Sequence, residues 1–224
     1  MLKKRVIPTL LLKKNRMVKG KMFKNYRDTG NPSSCIRVYN SQYVDELIFI
    51  NINNDRFTSS ELENILIVAS KECFVPLTVG GGIDSIKKID KLLYSGADKI
   101  VLNSINFKKP KLINDAAKKF GSQCIVVGID IKKIGKKYKI FSNLGKKSES
   151  QDLISYIKTC EDKGAGEFFI NSIDRDGMMS GYDLNLINKI CDTTKLPVIS
   201  SGGAGNFKHI EDLFNKTESS GAAC

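Results

Sequence analysis

The sequence contains no tryptophan, a single histidine, five prolines and no long apolar run. None of its apolar segments approaches the roughly 18 residues that a membrane-spanning helix needs, so we expect no membrane partner. The first apolar segment, residues 6–12, lies between lysines and is too short for a secretory signal, so we expect a cytoplasmic protein. The one histidine, His209, precedes Ile-Glu-Asp-Leu in a helical pattern, which favours a surface position over a catalytic triad or a metal ligand.

The cysteine spacing excludes the common zinc sites. The six cysteines lie at least 31 residues apart, so none of them forms a Cys-X-X-Cys pair. Several fall in apolar runs, which is typical of free, buried thiols in a reducing compartment. The cysteines are Cys35, Cys73, Cys124, Cys160, Cys191 and Cys224. We therefore expect neither a metal nor a redox cofactor.

The formal charge of +12 raises the question of a nucleic-acid partner. The excess is mostly lysine and is spread as pairs along the chain, from Lys3-Lys4 to Lys146-Lys147. No platform of arginine and aromatic residues for single strands accompanies it. The pattern indicates a lysine-rich solvated surface, and we expect no nucleic-acid partner.

Short apolar runs alternate with amphipathic stretches along the chain, which predicts seven βα units. The predicted strands are Arg5–Leu11, Glu46–Ile52, Val75–Gly80, Lys99–Asn103, Cys124–Asp130, Glu167–Ser172 and Pro197–Ser201. The predicted helices are Pro32–Gln42, Ser59–Cys73, Ser85–Ser95, Pro110–Phe120, Gln151–Lys163, Leu184–Thr193 and Phe207–Lys216. Strands joined by helical crossovers must be parallel, which leaves two α/β architectures, an open doubly wound sheet and a closed (βα)8 TIM barrel.

An internal repeat favours the barrel. Glu46 aligns with Glu167 and Pro76 aligns with Pro197, and the offset is 121 residues in both cases. A duplicated half of four βα units would close as eight strands. The counterpart of the strand residues Val101-Leu102-Asn103 would begin only near Ala223. We therefore expect residues 1–224 to form a single barrel domain with an incomplete C-terminus, truncated in strand eight and open at that seam.

Two glycine-rich loops follow strands and precede helices at equivalent places in the two halves. Gly81 and Gly82 form one, and Ser201, Gly202 and Gly203 form the other. Such loops let backbone N–H groups approach an anion, although βα turns also use glycine for geometry alone. Two further pairs of residues follow neighbouring strands: Asn103 with Ser104, and Asp176 with Gly177. Together these loops predict two phosphate sites on opposite sides of the barrel mouth.

Asp130 ends the apolar run Ile-Val-Val-Gly-Ile-Asp, where a barrel strand directs its last residue into the active site. General acid or base catalysis is the natural role of such a carboxylate, and a helix cap or a loop salt bridge is the structural alternative. Asp174 and Asp176 could shape their loop or contact substrate.

These residues resemble the cyclase (HisF-type) subunit of imidazole glycerol phosphate synthase along the whole chain. The most specific stretches are Lys19-Gly20, Phe23–Asp28, Val44–Leu47, Thr78–Ile83, Gly121–Gln123, Asn171–Gly177 and Ser201–Gly205. The resemblance implies a (βα)8 barrel that receives ammonia from a glutaminase (HisH-type) subunit in a heterodimer. It also implies a phosphorylated ribosyl substrate and two products, imidazole glycerol phosphate and an aminoimidazole carboxamide ribotide.

The resemblance also assigns residues. Asp130 matches one of the family's two catalytic aspartates, and Lys19 matches a substrate-contacting lysine in the first loop. Gly82, Asn103, Gly177 and Gly203 fall in the phosphate-binding loops. The ammonia entrance at the barrel bottom is matched by Arg5, Glu46, Lys99 and Glu167. Each of these four begins a strand run, and their charges balance two against two.

Three positions at the mouth depart from the family. Leu11 stands where the second catalytic aspartate belongs, and leucine cannot transfer a proton. Asn51 replaces another aspartate, and Asn171 replaces a threonine while keeping the ability to contact substrate. The departures leave three hypotheses: a synthase of the histidine-pathway type, a paralogue that delivers ammonia for sugar amidation in surface-polysaccharide biosynthesis, and a non-catalytic activator or scaffold of the glutaminase.

Overall fold

A computed structural model describes residues 3–53, 59–72 and 74–224. The strands of these residues belong to one sheet that combines parallel pairs with antiparallel hairpins. They are β1 (Arg5–Ile7), β2 (Thr9–Lys13), β3 (Arg16–Lys21), β4 (Lys24–Gly30), β5 (Leu47–Asn51), β6 (Leu77–Gly80), β7 (Lys99–Leu102), β8 (Ile125–Ile134), β9 (Lys137–Ser142), β10 (Lys147–Ser148), β11 (Glu167–Ser172), β12 (Val198–Ser201) and β13 (Gly221–Ala223).

The parallel strands close into a barrel. β1 pairs with β13, and β2, which continues the same strand beyond Pro8, pairs with β5. Proline interrupts the strand because it has no N–H to donate to a neighbour. From β5 the ring continues through β6, β7, β8, β11 and β12 back to β13. The predicted (βα)8 barrel is confirmed, and the open doubly wound sheet is excluded.

The expected open seam at strand eight is not found, because β13 fills it. Gly221 pairs with Arg5 on one side and with Ile199 on the other. Beyond β13, the N–H of Cys224 donates to the carbonyl of Ile7 at 3.1 Å, and the N–H of Thr9 donates to the carbonyl of Cys224 at 2.8 Å. Three residues suffice because the barrel strands are short, and the counterpart β7 has only four.

Helices follow the barrel strands and cover their outer faces. They are α1 (Pro32–Ser41), α2 (Ser59–Glu72), α3 (Ile86–Tyr94), α4 (Ile105–Lys108), α5 (Leu112–Phe120), α6 (Leu153–Asp162), α7 (Leu184–Cys191) and α8 (Phe207–Lys216), with a 3₁₀ turn at Ser122–Cys124. The predicted helices are confirmed to within a few residues at each end. Cys73, the predicted end of the second helix, lies outside the described residues.

Several helices begin where a polar side chain accepts a hydrogen bond from the first turn. Asn31, Asp152 and Asn206 do so for α1, α6 and α8. Such N-caps satisfy backbone donors that would otherwise lack partners, and each contributes about 1 kcal/mol. These three caps therefore mark the residues at which the chain leaves a loop at the barrel mouth and enters α1, α6 or α8.

The apolar core has an outer and an inner layer. The larger cluster, which includes Leu47, Ile100 and Phe168, packs the strands against the surrounding helices. A smaller cluster fills the barrel interior with one residue from each of seven strands: Ile7, Ile48, Val101, Val126, Phe169, Ile199 and Ala223. This alternation between inner and outer neighbours is what a barrel strand requires.

Two antiparallel hairpins at the mouth were not predicted. β3 and β4 extend from β2, and β9 extends from β8 and pairs with β10. Their sequences are rich in lysine and lack a continuous apolar run, so the sequence pattern does not predict strands there. In the described part of the chain, no helix is long and apolar enough to cross a membrane.

The described cysteines form no disulfide. Cys160 is buried, Cys35, Cys124 and Cys191 are partly buried, and Cys224 is exposed, so the expectation of buried thiols holds only in part. Cys73 lies outside the described residues.

Candidate functional site

Four charged side chains form a ring inside the barrel at the N-terminal ends of its strands. Arg5 donates to Glu46 at 2.8 Å and also to Glu167. Lys99 donates to Glu46 at 3.1 Å and to Glu167 at 2.9 Å. Each cation therefore bridges both carboxylates, which are almost fully buried. The structure brings together all four residues predicted for the entrance.

A fifth side chain is hydrogen-bonded to the ring. The hydroxyl of Thr78, on β6, donates to Glu46 at 2.6 Å. The role of Thr78 could not be predicted from the sequence, because threonine is common in apolar strands for its β-propensity alone. Its hydroxyl matters because a buried carboxylate needs several donors to offset its lost hydration.

Above the ring, the barrel interior is apolar. The inner cluster, from Ile7 to Ala223, separates the ring from the C-terminal ends of the strands. Phe169 and Val101 in this layer are almost fully buried. An apolar interior of this kind disfavours a charged ammonium ion more than neutral ammonia, because a lone charge loses its hydration there.

Asp130 lies at the other end of the same interior, on the barrel strand β8. Its side chain is 4% exposed, and Asn171 on the neighbouring β11 donates to it at 3.1 Å. Burial raises the pKa of Asp130 to about 6, although hydrogen bonds from Asn171 and Asn103 oppose the rise and the nearby Asp176 adds to it. A carboxylate with this pKa is a base at neutral pH and an acid a little below it. Asn171, predicted as a substrate contact, is therefore also a partner of Asp130.

The first predicted phosphate loop lies after β6 and β7. Gly82 has a φ of +69° and open space where a side chain would project, so its backbone is accessible to a ligand. Gly81 instead packs against the backbone of Asn51. Asn103 directly follows β7, and its side-chain oxygen is buried with no hydrogen-bond partner among the residues that the structure describes. Ser104 accepts a hydrogen bond from the N–H of Asn143 at 2.9 Å.

The second predicted phosphate loop lies across the barrel, after β11 and β12. Ser201 pairs with Asn171, and Gly202 and Gly203 follow it. A Cβ at Gly203 would lie 2.1 Å from the carbonyl oxygen of Gly181, so packing alone requires glycine there. Going around the barrel in one direction, β8 separates the two loops. In the other direction they are separated by β13, β1/β2 and β5.

The β3–β4 hairpin reaches across the mouth to the loop after β11. The N–H of Met22 donates to the carbonyl of Asp176 at 2.9 Å, and the N–H of Phe23 donates to the Asp176 carboxylate at 3.2 Å. Burial raises the pKa of Asp176. Asp176, predicted as a substrate ligand, thus anchors the hairpin that carries the exposed Lys19. Gly177 lies directly beneath the hairpin, against the carbonyl of Gly20.

The positions that depart from the family line the same end of the barrel. Leu11 on β2 pairs with Ile50 and Val18. Asn51 at the end of β5 accepts a hydrogen bond from the N–H of Asn53 at 3.0 Å. Neither Leu11 nor Asn51 ionises. Of these two residues and Asp130, only Asp130 brings a carboxylate to this end of the barrel.

Tyr26 lies on β4, in the hairpin over the mouth, and the sequence predicts no role for it. Burial raises its pKa to about 12, and the carboxylates of Asp176 and Asp130 add to the rise. A tyrosine in a lysine-rich segment carries no signal of its own. Only the folding of β3 and β4 over the barrel brings its phenol near the two carboxylates.

Comparison with known proteins shows the family to which the chain belongs. Residues 5–224 match the family described as "Histidine biosynthesis protein". The imidazole glycerol phosphate synthase subunit HisF of Streptococcus mutans is 40% identical over 223 residues, which cover 99% of this chain and 89% of that protein. The HisF subunit of Lactococcus lactis subsp. cremoris is 41% identical over 225 residues, covering 99% and 86%. That of Campylobacter concisus is 43% identical over 211 residues, covering 94% and 84%.

Proposed function

Since the chain belongs to the histidine biosynthesis protein family and is similar to HisF subunits along almost its whole length, we propose that it is the ammonia-using synthase subunit of a glutamine amidotransferase complex. One observation carries the proposal. A charged ring, an apolar interior and a buried carboxylate follow one another along a single barrel axis. This order suits a reaction in which nitrogen enters at one end and is used at the other.

In this mechanism, the ring formed by Arg5, Glu46, Lys99 and Glu167 controls entry. Ammonia moves through the apolar interior as the neutral molecule, which remains a nucleophile because water and protons are excluded. At the mouth Asp130 accepts a proton from the attacking nitrogen, since its pKa of about 6 leaves it ionised at neutral pH.

The substrate would bind across the mouth through two anionic groups. The accessible backbone of Gly82 with Asn103 and Ser104 would hold one group. Gly177, Ser201, Gly202 and Gly203 would hold the other. Lys19 on the hairpin would close over the bound molecule, because the hairpin already spans the mouth. Two phosphates are the groups that such loops bind best.

The glutaminase partner would dock at the barrel bottom, around the charged ring. Three aromatic side chains stand almost fully exposed at this end: Tyr43 before β5, Phe74 before β6, and Tyr94, the last residue of α3, before β7. The three strands are neighbours in the barrel, so the aromatic residues border one side of the ring. Exposed aromatic residues of this kind are typical anchors of protein interfaces.

Leu11 favours a second candidate, a paralogue that delivers ammonia for sugar amidation in surface-polysaccharide biosynthesis. The loss of one carboxylate removes half of the acid–base pair, while Asp130 and the entrance ring are kept. Such a pattern suits addition of ammonia to a different acceptor.

One experiment tests the proposal by supplying nitrogen in two ways. Purified protein receives the phosphorylated ribosyl substrate with either ammonium at pH 8.5 or glutamine and a glutaminase subunit. We expect turnover with both nitrogen sources. Chromatography of the imidazole product measures it. Phe74→Ala should lower the glutamine-dependent rate about tenfold and leave the ammonium-dependent rate unchanged, because one interface anchor contributes about 1–2 kcal/mol. Phe207→Ala, equally exposed at the opposite end of the barrel, is the matched control.

The remaining outcomes separate the alternatives. Turnover of an amino or acidic nucleotide sugar, but not of the ribosyl substrate, would support the paralogue. Stimulation of glutaminase activity without amination of either substrate would support the scaffold and contradict a synthase.

A further inference from the structure

The replacement of the second carboxylate by Leu11 leaves the mouth with a base but with no partner acid on the barrel strands. We propose that the phenol of Tyr26 is the proton donor of this site and takes over the task of the missing aspartate. The inference rests on the proposed amination reaction and assigns to it a residue outside the barrel strands.

The position of Tyr26 is set by two contacts of its ring. The ring packs so closely on Gly20 that a Cβ there would lie 2.8 Å from two ring carbons. The Lys13 ammonium lies over the ring, 5.1 Å from its centroid. Lys13 ends β2, the strand that carries Leu11. The phenol is therefore held on the side of the mouth where the aspartate is missing.

The surroundings of Tyr26 leave room for a ligand. A cavity of about 300 Å³ is lined by Tyr26, Phe23, Lys13 and Asn53. The side-chain nitrogen of Asn53 is buried there and has no hydrogen-bond partner within the described part of the chain. A buried donor that lacks a partner costs free energy, and a ligand oxygen would satisfy it.

The protonation states of Tyr26 and Asp130 complement each other. Burial and the carboxylates of Asp176 and Asp130 keep the phenol protonated at neutral pH, with a pKa of about 12. Asp130 is ionised at the same pH, because its pKa is about 6. The mouth thus presents a proton donor and a proton acceptor whose pKa values are pushed apart, which is how acid and base are assigned in many enzymes.

The chemical step balances with these two groups. Ammonia adds to a carbonyl carbon of the substrate, so a C–N bond forms and the C–O π bond breaks. The carbonyl oxygen takes the proton of the Tyr26 phenol, and Asp130 takes a proton from the new C–N nitrogen. The proton on Asp130 then returns to the Tyr26 phenolate through solvent, which restores both groups.

Removal of the Tyr26 hydroxyl alone tests this role. Tyr26→Phe keeps the aromatic ring, its packing on Gly20 and its contact with Lys13. With ammonium as the nitrogen source, we expect kcat to fall about 10²-fold or more while KM changes little, since general acid catalysis contributes 10²–10⁴-fold. Tyr138→Phe is the matched control, because Tyr138 also lies on a hairpin strand beneath a lysine, but its hydroxyl donates to Asp183, the N-cap of α7, at 3.0 Å.

A double-mutant cycle with Leu11→Asp distinguishes replacement of the acid from loss of packing. If Tyr26 takes over the task of an aspartate, Leu11→Asp should restore the rate of the Tyr26→Phe protein to within about tenfold of the parent. A Tyr26→Phe protein that keeps the parent rate overturns the inference, as does a parent that becomes active only with Leu11→Asp. Failure of all four proteins to aminate the substrate overturns the proposed function itself, and the inference with it.

Discussion

At the scale of single residues, Asp130 shows how the barrel trades stability for reactivity. Its carboxylate is buried at the end of β8, with two amide side chains as hydrogen-bond partners. Amides donate weakly compared with a cation, so they do not offset the lost hydration of the charge. The pKa therefore rises to about 6, and the folded protein carries this charge at a cost. In the proposed reaction, the same cost makes the group a competent base.

Asp130→Asn should raise stability while it lowers activity. The folded pKa lies above the unfolded value of 3.8, so the folded state binds more protons between about pH 4 and 6. The parent therefore loses stability as the pH rises through this window, and the variant does not. At pH 8 we expect the variant to be more stable by about 1–3 kcal/mol, with no difference at pH 4, in urea unfolding followed by circular dichroism.

The control for this prediction is Asp90→Asn, on the exposed face of α3. Asp90 pairs with Lys119 at the surface, and its replacement should change stability by less than about 0.5 kcal/mol at either pH. Equal destabilisation of the Asp130→Asn protein at both pH values would contradict the account. Turnover by that variant should fall about 10²–10⁴-fold.

At the scale of elements, the β3–β4 hairpin decides whether the mouth is covered. The hairpin grows from β2 but is held on the opposite side, by backbone bonds to Asp176. These few bonds are made by otherwise exposed backbone, so the hairpin is less firmly held than the barrel strands beneath it. Its docking brings both Lys19 and Tyr26 over the site.

Gly177→Ala should release the hairpin without unfolding the barrel. A Cβ at this position would lie 2.1 Å from the carbonyl oxygen of Gly20, and the φ of +66° is unfavourable for alanine. We expect faster tryptic cleavage at Lys21 and Lys24, and a higher KM, because Lys19 is displaced from the substrate. Proteolysis timed by mass spectrometry measures the first effect.

Gly135→Ala provides the comparison, because it shares the strain and lacks the clash. Its φ is +59°, but the space around its Cβ position is open. If both variants are cleaved at the same rate at Lys21 and Lys24, the backbone strain alone explains the effect and the proposed docking contact is not needed.

At the scale of the whole molecule, the charged ring connects parts of the barrel that are distant in the sequence. Arg5, Glu46, Lys99 and Glu167 begin or precede four different strands, and each cation bridges both carboxylates. A buried network of this kind is weakly stabilising as a whole but strongly destabilising when one member is removed. The ring therefore constrains both the closure of the barrel base and the path into its interior.

Arg5→Met should destabilise the protein by about 3–5 kcal/mol, because Lys99 alone must then neutralise two buried carboxylates. Lys119→Met, which breaks the exposed ion pair with Asp90, should cost less than about 1 kcal/mol. Urea unfolding of both variants at pH 7 measures the difference. Similar small losses would show that the ring is hydrated and does not behave as a buried network.

Much of the fold follows from local patterns. The alternation of apolar strands and amphipathic helices, with the 121-residue repeat, indicates a barrel because each unit needs a parallel neighbour on both sides. The four residues of the charged ring were predicted from the resemblance to the HisF-type family. Their positions support that prediction, since a charge at the start of an apolar strand must be paired or solvated. Asp130 was identifiable for the same kind of reason, as a carboxylate at the end of a buried strand.

The sequence by itself determined the barrel, its order of strands and the residues available at each end. Only the tertiary structure decided which of them meet: β13 closes the seam with three residues, Thr78 joins the ring, Asn171 contacts Asp130, and the hairpin carries Tyr26 over the mouth. The physical reason is that periodicity reports which face of an element is buried, whereas contacts between elements depend on closure, register and the docking of polar hairpins, which local patterns do not encode.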